Sequence, residues 1–364
     1  MSGDRSPQFL YRTMLVTGGA GFVGSNLAVS FKNKYPALRV IALDNLKRRG
    51  SELNIKRLKS HAVEFLHGDI RNPEDLEFES GIDLLIECSA EPSVLAGYGG
   101  SPAYLINTNL TGTINCLEMA RKNKSDVIFL SSSRVYPYDA INGIENTERE
   151  TRYEWKDGQR MPGWSPEGIS VNFPLNGPRS LYGATKLSSE LILQEYMDMY
   201  GIRGIINRCG VIAGPWQFGK VDQGVFTLWM LGHHFKKDLK YIGFGGSGKQ
   251  VRDLLHIDDL FDLMDMQATS MDKTNGKTYN VGGGKAVSLS LLETTKLCEE
   301  ITGNKIHFER IDGNRPADIV IYISDNGEVT SDFGWQPRRS AGKILDDIHT
   351  WMKDNENDIA NCLL

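Results

Sequence analysis

Cysteine is sparse and scattered in this chain: five residues in 364, at Cys88, Cys116, Cys209, Cys298 and Cys362. Their number is odd and no Cys-x-x-C pair occurs, which argues against a disulfide framework and against a zinc site. The expectation is buried free thiols in a reducing compartment, each packing as a small hydrophobe, and no metal. Long apolar runs are missing too. Met1 to Arg12 is polar, the first apolar run is Met14-Leu15-Val16, and no stretch of 18 apolar residues occurs. Neither a signal peptide nor a membrane span is expected, and the location is expected to be cytoplasmic. Positive charge is not in excess: Lys+Arg is 41 against Asp+Glu 46, a net −5. That excludes the broad basic footprint of a nucleic-acid-binding protein. No internal repeat or low-complexity tract is seen.

What is present is an ordinary globular composition, 40% apolar and 24% charged, over a length that suggests two domains. Glycine is the outlier, with 38 of 364 residues, or 10%, against an average of about 7%. The first half alternates short apolar runs with helical patterns. Strands are expected at 13–17, 39–43, 63–66, 83–87, 126–130 and 204–207. Helices are expected at 22–33, 109–122 and 180–200, the last capped by Gly201. Near-continuous apolar strands between helices indicate an α/β chain with a parallel sheet covered on both faces. After about residue 215 the rhythm becomes mixed, which indicates a smaller C-terminal α/β lobe.

The first strand runs into Thr17-Gly18-Gly19-Ala20-Gly21-Phe22-Val23-Gly24. Glycines at 18, 21 and 24 serve a tight turn, close approach of backbone to a pyrophosphate, and close helix–strand packing. The helix N-terminus adds amide donors for the anion. Asp44 ends the second strand, 20 residues beyond the last glycine, where a carboxylate binds a ribose diol. This is the fingerprint of a doubly wound (Rossmann) dinucleotide site. Asp44 favours NAD over NADP because it repels a 2′-phosphate, while Lys47, Arg48 and Arg49 leave NADP open. Asp69, in His67-Gly68-Asp69-Ile70, either approaches the adenine or is a strand-end turn residue.

Tyr182 and Lys186 are four apart at the start of a helix and share a face. An ammonium beside a tyrosine stabilises the phenolate and makes it a usable base. Ser131-Ser132-Ser133 ends the fifth strand, on the edge of a parallel sheet that faces the ligand crevice. A hydroxyl there can hydrogen-bond a reacting alcohol or ketone.

Together these motifs resemble the extended short-chain dehydrogenase/reductase family, which includes nucleotide-sugar epimerases and dehydratases. The resemblance runs from Thr13 to about Trp351. It includes the glycine turn, Asp44-Asn45-Leu46, His67 to Arg71, Asn109 with Gly112-Thr113, the serines, Tyr182 with Lys186, and Arg252-Asp253 with His256 and Asp258-Asp259. It implies a catalytic set of Ser132, Tyr182 and Lys186, with Ser133 as the fallback hydroxyl. It implies cofactor contacts from Gly18, Gly21, Phe22, Val23 and Gly24, from Asp44, Asn45, Asp69 and Ile70, and from Ser89, Ala90 and Asn109, besides Tyr182 and Lys186. Substrate contacts are expected from Ser133, Arg208, Gln217, Gln223, Arg252 and Arg315, with Arg208 alternatively a structural anchor and Arg252 or Arg315 alternatively in structural ion pairs. Residues 12–214 form the expected NAD-binding domain, with an insertion at about 139–178. Residues 215–354 form mainly the substrate lobe, with possible return segments to the sheet.

Two departures from the family pattern bear on function. Glu91 stands beside the cofactor in Cys88-Ser89-Ala90-Glu91-Pro92, where relatives carry small residues. Ser133 and Arg134 stand where dehydratases place an Asp-Glu pair, so elimination is not expected. The segments from Gln217 to Gly224 and from Gly248 to Asp253, with Glu150 to Tyr153 and the insertion before Tyr182, resemble the CDP-tyvelose 2-epimerase (CDP-paratose 2-epimerase) subgroup. That implies an isomerase of carbohydrate biosynthesis with tightly held NAD, acting on a CDP-sugar through a transient 2-keto sugar. A UDP-sugar 4-epimerase or another nucleotide-sugar oxidoreductase is the alternative. A non-catalytic NAD(P) sensor is disfavoured, since it would not need the three catalytic side chains. A homodimer or homotetramer is expected through the helices near Asn109 and Tyr182, with Leu187, Leu191 and Met197 serving that contact or the core.

Overall fold

The structure, a computed structural model, describes residues 9–218 and 223–363. Seven strands make the central sheet: β1 (Thr13–Thr17), β2 (Arg39–Asp44), β3 (Glu64–His67), β4 (Leu84–Glu87), β5 (Asp126–Ser132), β6 (Gly204–Cys209) and β7 (Thr278–Val281). Their order is β7-β6-β5-β4-β1-β2-β3, and every pairing is parallel. The chain steps outward from β1 to β3, crosses back to β4, and then steps the other way. That reversal opens a crevice at the carboxyl ends of β1 and β4. Thr17 is level with Glu87 on one side and Leu43 on the other, so the strand ends form one edge.

The apolar strands are buried on both faces because helices cover both. On one face α1 (Phe22–Lys34) and the helix Ile257–Thr269 pack over Met14, Val16, Val40, Ala42 and Ile86. On the other, α2 (Gly112–Asn123) and α3 (Ser180–Tyr200) pack over Leu15, Ile41, Leu85, Val127 and Phe129. Alternate residues of each strand thus serve opposite cores. The structure differs from expectation in detail. β5 runs two residues further than the expected 126–130, to Ser132, so Ser131 and Ser132 belong to the strand itself and Ser133 opens the turn after it. The second helix starts at Gly112 because a wider π-helical turn occupies Asn107–Thr111. α3 keeps its expected bounds and ends on Gly201, at φ 67°.

Beyond β6 the lobe is built on Val211–Ala213, Val251–His256 and Ser288–Ser290, with Ile321–Tyr322 paired to the second of these. It is not continuous in sequence: β7 and the helix Ile257–Thr269 return to the sheet. The glycines after β7 are forced by packing. A Cβ on Gly282 would lie 2.2 Å from Asp253 Oδ2, and one on Gly283 would lie 1.9 Å from Leu254 O. The 139–178 insertion forms two small hairpins, and Arg152 ties it to the lobe through Glu293 at 2.5 Å.

All five cysteines are free; four are buried, and Cys88 is half-buried. On α3, Leu187 and Met197 pack against the interior clusters, whereas Leu191 faces outward at 56% exposure. Among the described residues no helix is long and apolar enough to cross a membrane, and no group of His, Cys, Asp or Glu is arranged to hold a metal.

Candidate active site

The crevice at the strand ends is a cleft of about 490 Å³. Its floor is the glycine turn. Gly18 has φ +62°, and a Cβ there would lie 3.0 Å from Cys88 O, while one on Gly24 would lie 2.3 Å from Gly18 O. α1 starts after Gly21 without a side-chain cap, which leaves its first-turn amides for an anionic ligand. Asp44 closes the turn, accepting from Ala20 N–H at 3.1 Å and Leu46 N–H at 2.8 Å. Burial pushes its pKa up, and those amides, with that of Gly21, pull it back. The cradle, the anion-ready helix end and the carboxylate at the cleft fit a dinucleotide. Phe22, Val23, Asn45, Ile70, Ser89 and Ala90 also line the cleft.

Two of the expected cofactor contacts lie off the cleft lining. Asp69 is turned into an ion pair with Arg71 at 2.6 Å and accepts from Asn45 Nδ2 at 2.8 Å. Burial raises its pKa, but the hydrogen bonds from Arg71 and Asn45 outweigh that and hold it down at about 2. Asn109 is fully buried and holds the Glu91 backbone, accepting its N–H at 2.7 Å and donating to its carbonyl at 3.1 Å.

The catalytic candidates share this cleft. Ser132, Tyr182 and Lys186 all line the cleft. Ser132 Oγ accepts from Arg134 N–H at 3.1 Å, which leaves the hydroxyl proton to donate. Ser133 opens the next turn and does not line the cleft. Tyr182 and Lys186 sit one turn apart near the start of α3. Gly183 seats that helix, since a Cβ there would lie 2.0 Å from Arg134 O. This contact fixes the spacing between the serine turn and Tyr182. Lys186 is buried at 2% exposure, with Nζ 4.4 Å over the Phe129 ring and 3.6 Å from Glu87 Oε2. Sequence reasoning passed over Glu87. Its signal was a carboxylate ending the otherwise apolar run Leu84-Leu85-Ile86.

The outer rim is a strap of side chains. Gln223 donates to Glu91 Oε1 at 3.3 Å and accepts from Arg48, whose other Nη donates to Phe218 O at 2.7 Å. Lys47 also lines the cleft, whereas Arg49 donates to Asn361 O. Gln217 lines the cleft while holding Ile212 O and the Thr227 hydroxyl. Gly219–Asp222, the middle of the segment between these glutamines, lie outside the described residues.

The arginines expected at the substrate stand elsewhere. Arg208 is buried away from the cleft, gripping Glu190 with two nitrogens and donating to the Tyr136 hydroxyl at 3.1 Å. The Glu190 carboxylate takes up its charge, which fits the alternative expectation of an anchor between β6 and α3. Arg252 is off the cleft lining, paired with Asp318 at 3.2 Å and donating to Ile319 O at 2.6 Å. Burial and the neighbouring Arg134 push its guanidinium down to about 10. Arg315 is half-buried in the same loop as Asp318 and also off the cleft lining.

Residues 14–282 match the model of the NAD dependent epimerase/dehydratase family. The chain is 30% identical over 348 residues to the CDP-paratose 2-epimerase of Salmonella typhi, covering 93% of this chain and 98% of that protein. It is 27% identical to the UDP-glucose 4-epimerase of Bacillus subtilis, covering 94% and 98%. The fold matches a Bacillus cereus UDP-glucuronic acid 4-epimerase, solved with UDP-glucuronic acid and NAD, at a TM-score of 0.76 and 24% identity, covering 94% and 99%. The chain belongs to the NAD dependent epimerase/dehydratase family.

Proposed function

We propose that this member of the NAD dependent epimerase/dehydratase family inverts one carbon of a nucleotide-diphosphate sugar, and that the carbon is C2 of a CDP-deoxyhexose. The carrying observation is that Ser132, Tyr182 and Lys186 line one cleft with the glycine turn and Asp44. Ser133 and Arg134, in turn, put no acid where an elimination would need one.

NAD, when bound, accepts a hydride from the sugar and gives it back. The chain supplies the rest. Tyr182 takes the proton of the sugar hydroxyl and later returns it, Lys186 stabilises the phenolate and holds the ribose, and Ser132 donates to the sugar oxygen. Asp44 accepts from a ribose diol, and the N-terminus of α1 meets the pyrophosphate. Because each turnover restores the cofactor, the strap of Arg48, Gln223 and Glu91 suits a cofactor kept between cycles.

The CDP-sugar and C2 assignment is supported by the Salmonella relative, matched over nearly all of both chains. Inversion at C4 of a UDP-sugar is the second reading, favoured by the Bacillus subtilis relative. Incubation with CDP-, UDP- and GDP-sugars followed by NMR of the products decides between them. Inversion at C4 with retention at C2 overturns the C2 assignment. Tyr182→Phe should abolish turnover while NAD stays bound; an active variant would refute the base assignment. A homodimer through α2 and α3 is part of this proposal, supported by exposed Leu191, Met199 and Tyr200 on α3. Light scattering on the purified chain tests it.

A further inference from the structure

Glu87 ends β4 directly behind the cleft wall, between Thr17 and the half-buried Cys88. It is 1% exposed, its Oε1 accepts from the Thr17 hydroxyl at a long 3.5 Å, and its Oε2 has no hydrogen-bond partner. What faces Oε2 is the Lys186 ammonium at 3.6 Å. A buried carboxyl kept only for packing would be satisfied by hydrogen bonds or replaced by an apolar residue. Burial raises the Glu87 pKa; the Lys186 ammonium works against that rise most strongly, and the Ser89 N–H and the Thr17 hydroxyl do so too. The thiols of Cys88, Cys116 and Cys209 lie around the pair, and burial keeps each of them protonated, so they add no charge.

We propose that Glu87 is a positioning residue that holds the Lys186 ammonium and offsets part of its charge, so that the cleft favours the oxidised, cationic form of the dinucleotide over the reduced form. The inference rests on the reading of the cleft as a nicotinamide dinucleotide site. The oxidised ring carries one positive charge and the reduced ring none. With Glu87 ionised, Lys186 presents a balanced pair to either ring. Without it, an uncompensated buried ammonium repels only the oxidised ring. At an effective dielectric of about 20, a unit charge about 12 Å from the ring is worth roughly tenfold in the relative affinity of the two forms, and a nearer one is worth more.

The test needs no sugar. The full chain is equilibrated with equal NAD and NADH, filtered, and the retained forms are quantified. Glu87→Gln keeps the shape and removes the charge, and should lower the retained NAD-to-NADH ratio by about tenfold or more. Glu87→Gln/Lys186→Met removes both charges, should bring the ratio back toward wild type, and serves if the single variant does not fold. A merely structural role would weaken both forms together and leave the ratio in place. A ratio within about twofold of wild type in Glu87→Gln, or no recovery in the double variant, overturns the inference. A wild-type chain that retains neither form refutes the dinucleotide reading and this inference with it; an unchanged ratio refutes this inference alone.

Discussion

Arg208→Lys separates an anchor from a substrate contact. In the structure the guanidinium donates to Glu190 Oε1 at 3.1 Å, to Glu190 Oε2 at 2.7 Å, to the Tyr136 hydroxyl at 3.1 Å and to Val171 O at 3.3 Å. Glu190 is 1% exposed and also accepts from the Ser131 hydroxyl, so its charge stays buried whatever stands at 208. A lysine keeps the charge and one carboxylate contact. It loses the second prong of the fork, worth about 1.5 kcal/mol, and the two neutral contacts, worth roughly 1 kcal/mol each at most. The expected loss is about 3 kcal/mol. With a urea dependence of about 3 kcal/mol per molar, the unfolding midpoint falls by about 1 M. Folded Arg208→Lys should keep the KM for the nucleotide sugar proposed as substrate, since Arg208 does not line the cleft. An unchanged midpoint together with a raised KM would restore Arg208 to the substrate and refute the reasoning.

Two further outcomes follow from charges near the cleft. The folded-state pKa of Asp69 is held at about 2, below its usual value of 3.8, so its pairing with Arg71 stabilises the fold at higher pH and is lost as pH falls through about 2. Arg71→Met should therefore melt below wild type at pH 6, with a gap that narrows between about pH 4 and pH 2.5; a gap of constant size would show that Arg71 acts by packing alone. Arg48→Met cuts the strap at its contacts with Gln223 and Phe218. Losing about 1–2 kcal/mol of hydrogen bonding should speed cofactor release roughly tenfold, and unchanged dissociation in stopped-flow fluorescence would mean the strap does not retain NAD.

The parts legible in the sequence are those written in short stretches of chain. The strands show as apolar runs because both faces of a parallel sheet are buried, and their ends show as the polar residues Asp44 and Ser132. Tyr182 and Lys186 are legible because helical spacing alone puts them on one face. Contacts across long separations were not legible. Nothing local says that Glu87 meets Lys186, that Arg208 spends its charge on Glu190, or that Arg252 finds Asp318. The strand Tyr279–Val281 is visible as a strand, but its membership of the main sheet comes from pairing with Ile206–Cys209, far away in sequence. The Gly282–Gly284 cluster looked like a turn, and its real constraint is the backbone and side chains of Asp253, Leu254 and Ser324 pressing on it.

These pairings change how the site can meet an anionic substrate. A net charge of −5 gives the cleft no favourable overall field, so binding of a nucleotide diphosphate depends on individual cations. Arg208 is committed to Glu190, and Lys186 faces Glu87. Arg252 is held by Asp318, but at 3.2 Å and with the neighbouring Arg134 repelling it, so that pair is the weaker commitment. An anion that reached Arg252 would compete with the Asp318 carboxylate for the role of counter-ion. Asp318 lies three residues from Arg315, and Asp318 N–H is hydrogen-bonded to Arg315 O. Any exchange of one anion for another at Arg252 would therefore bear on the 314–318 loop, because Asp318 belongs to it.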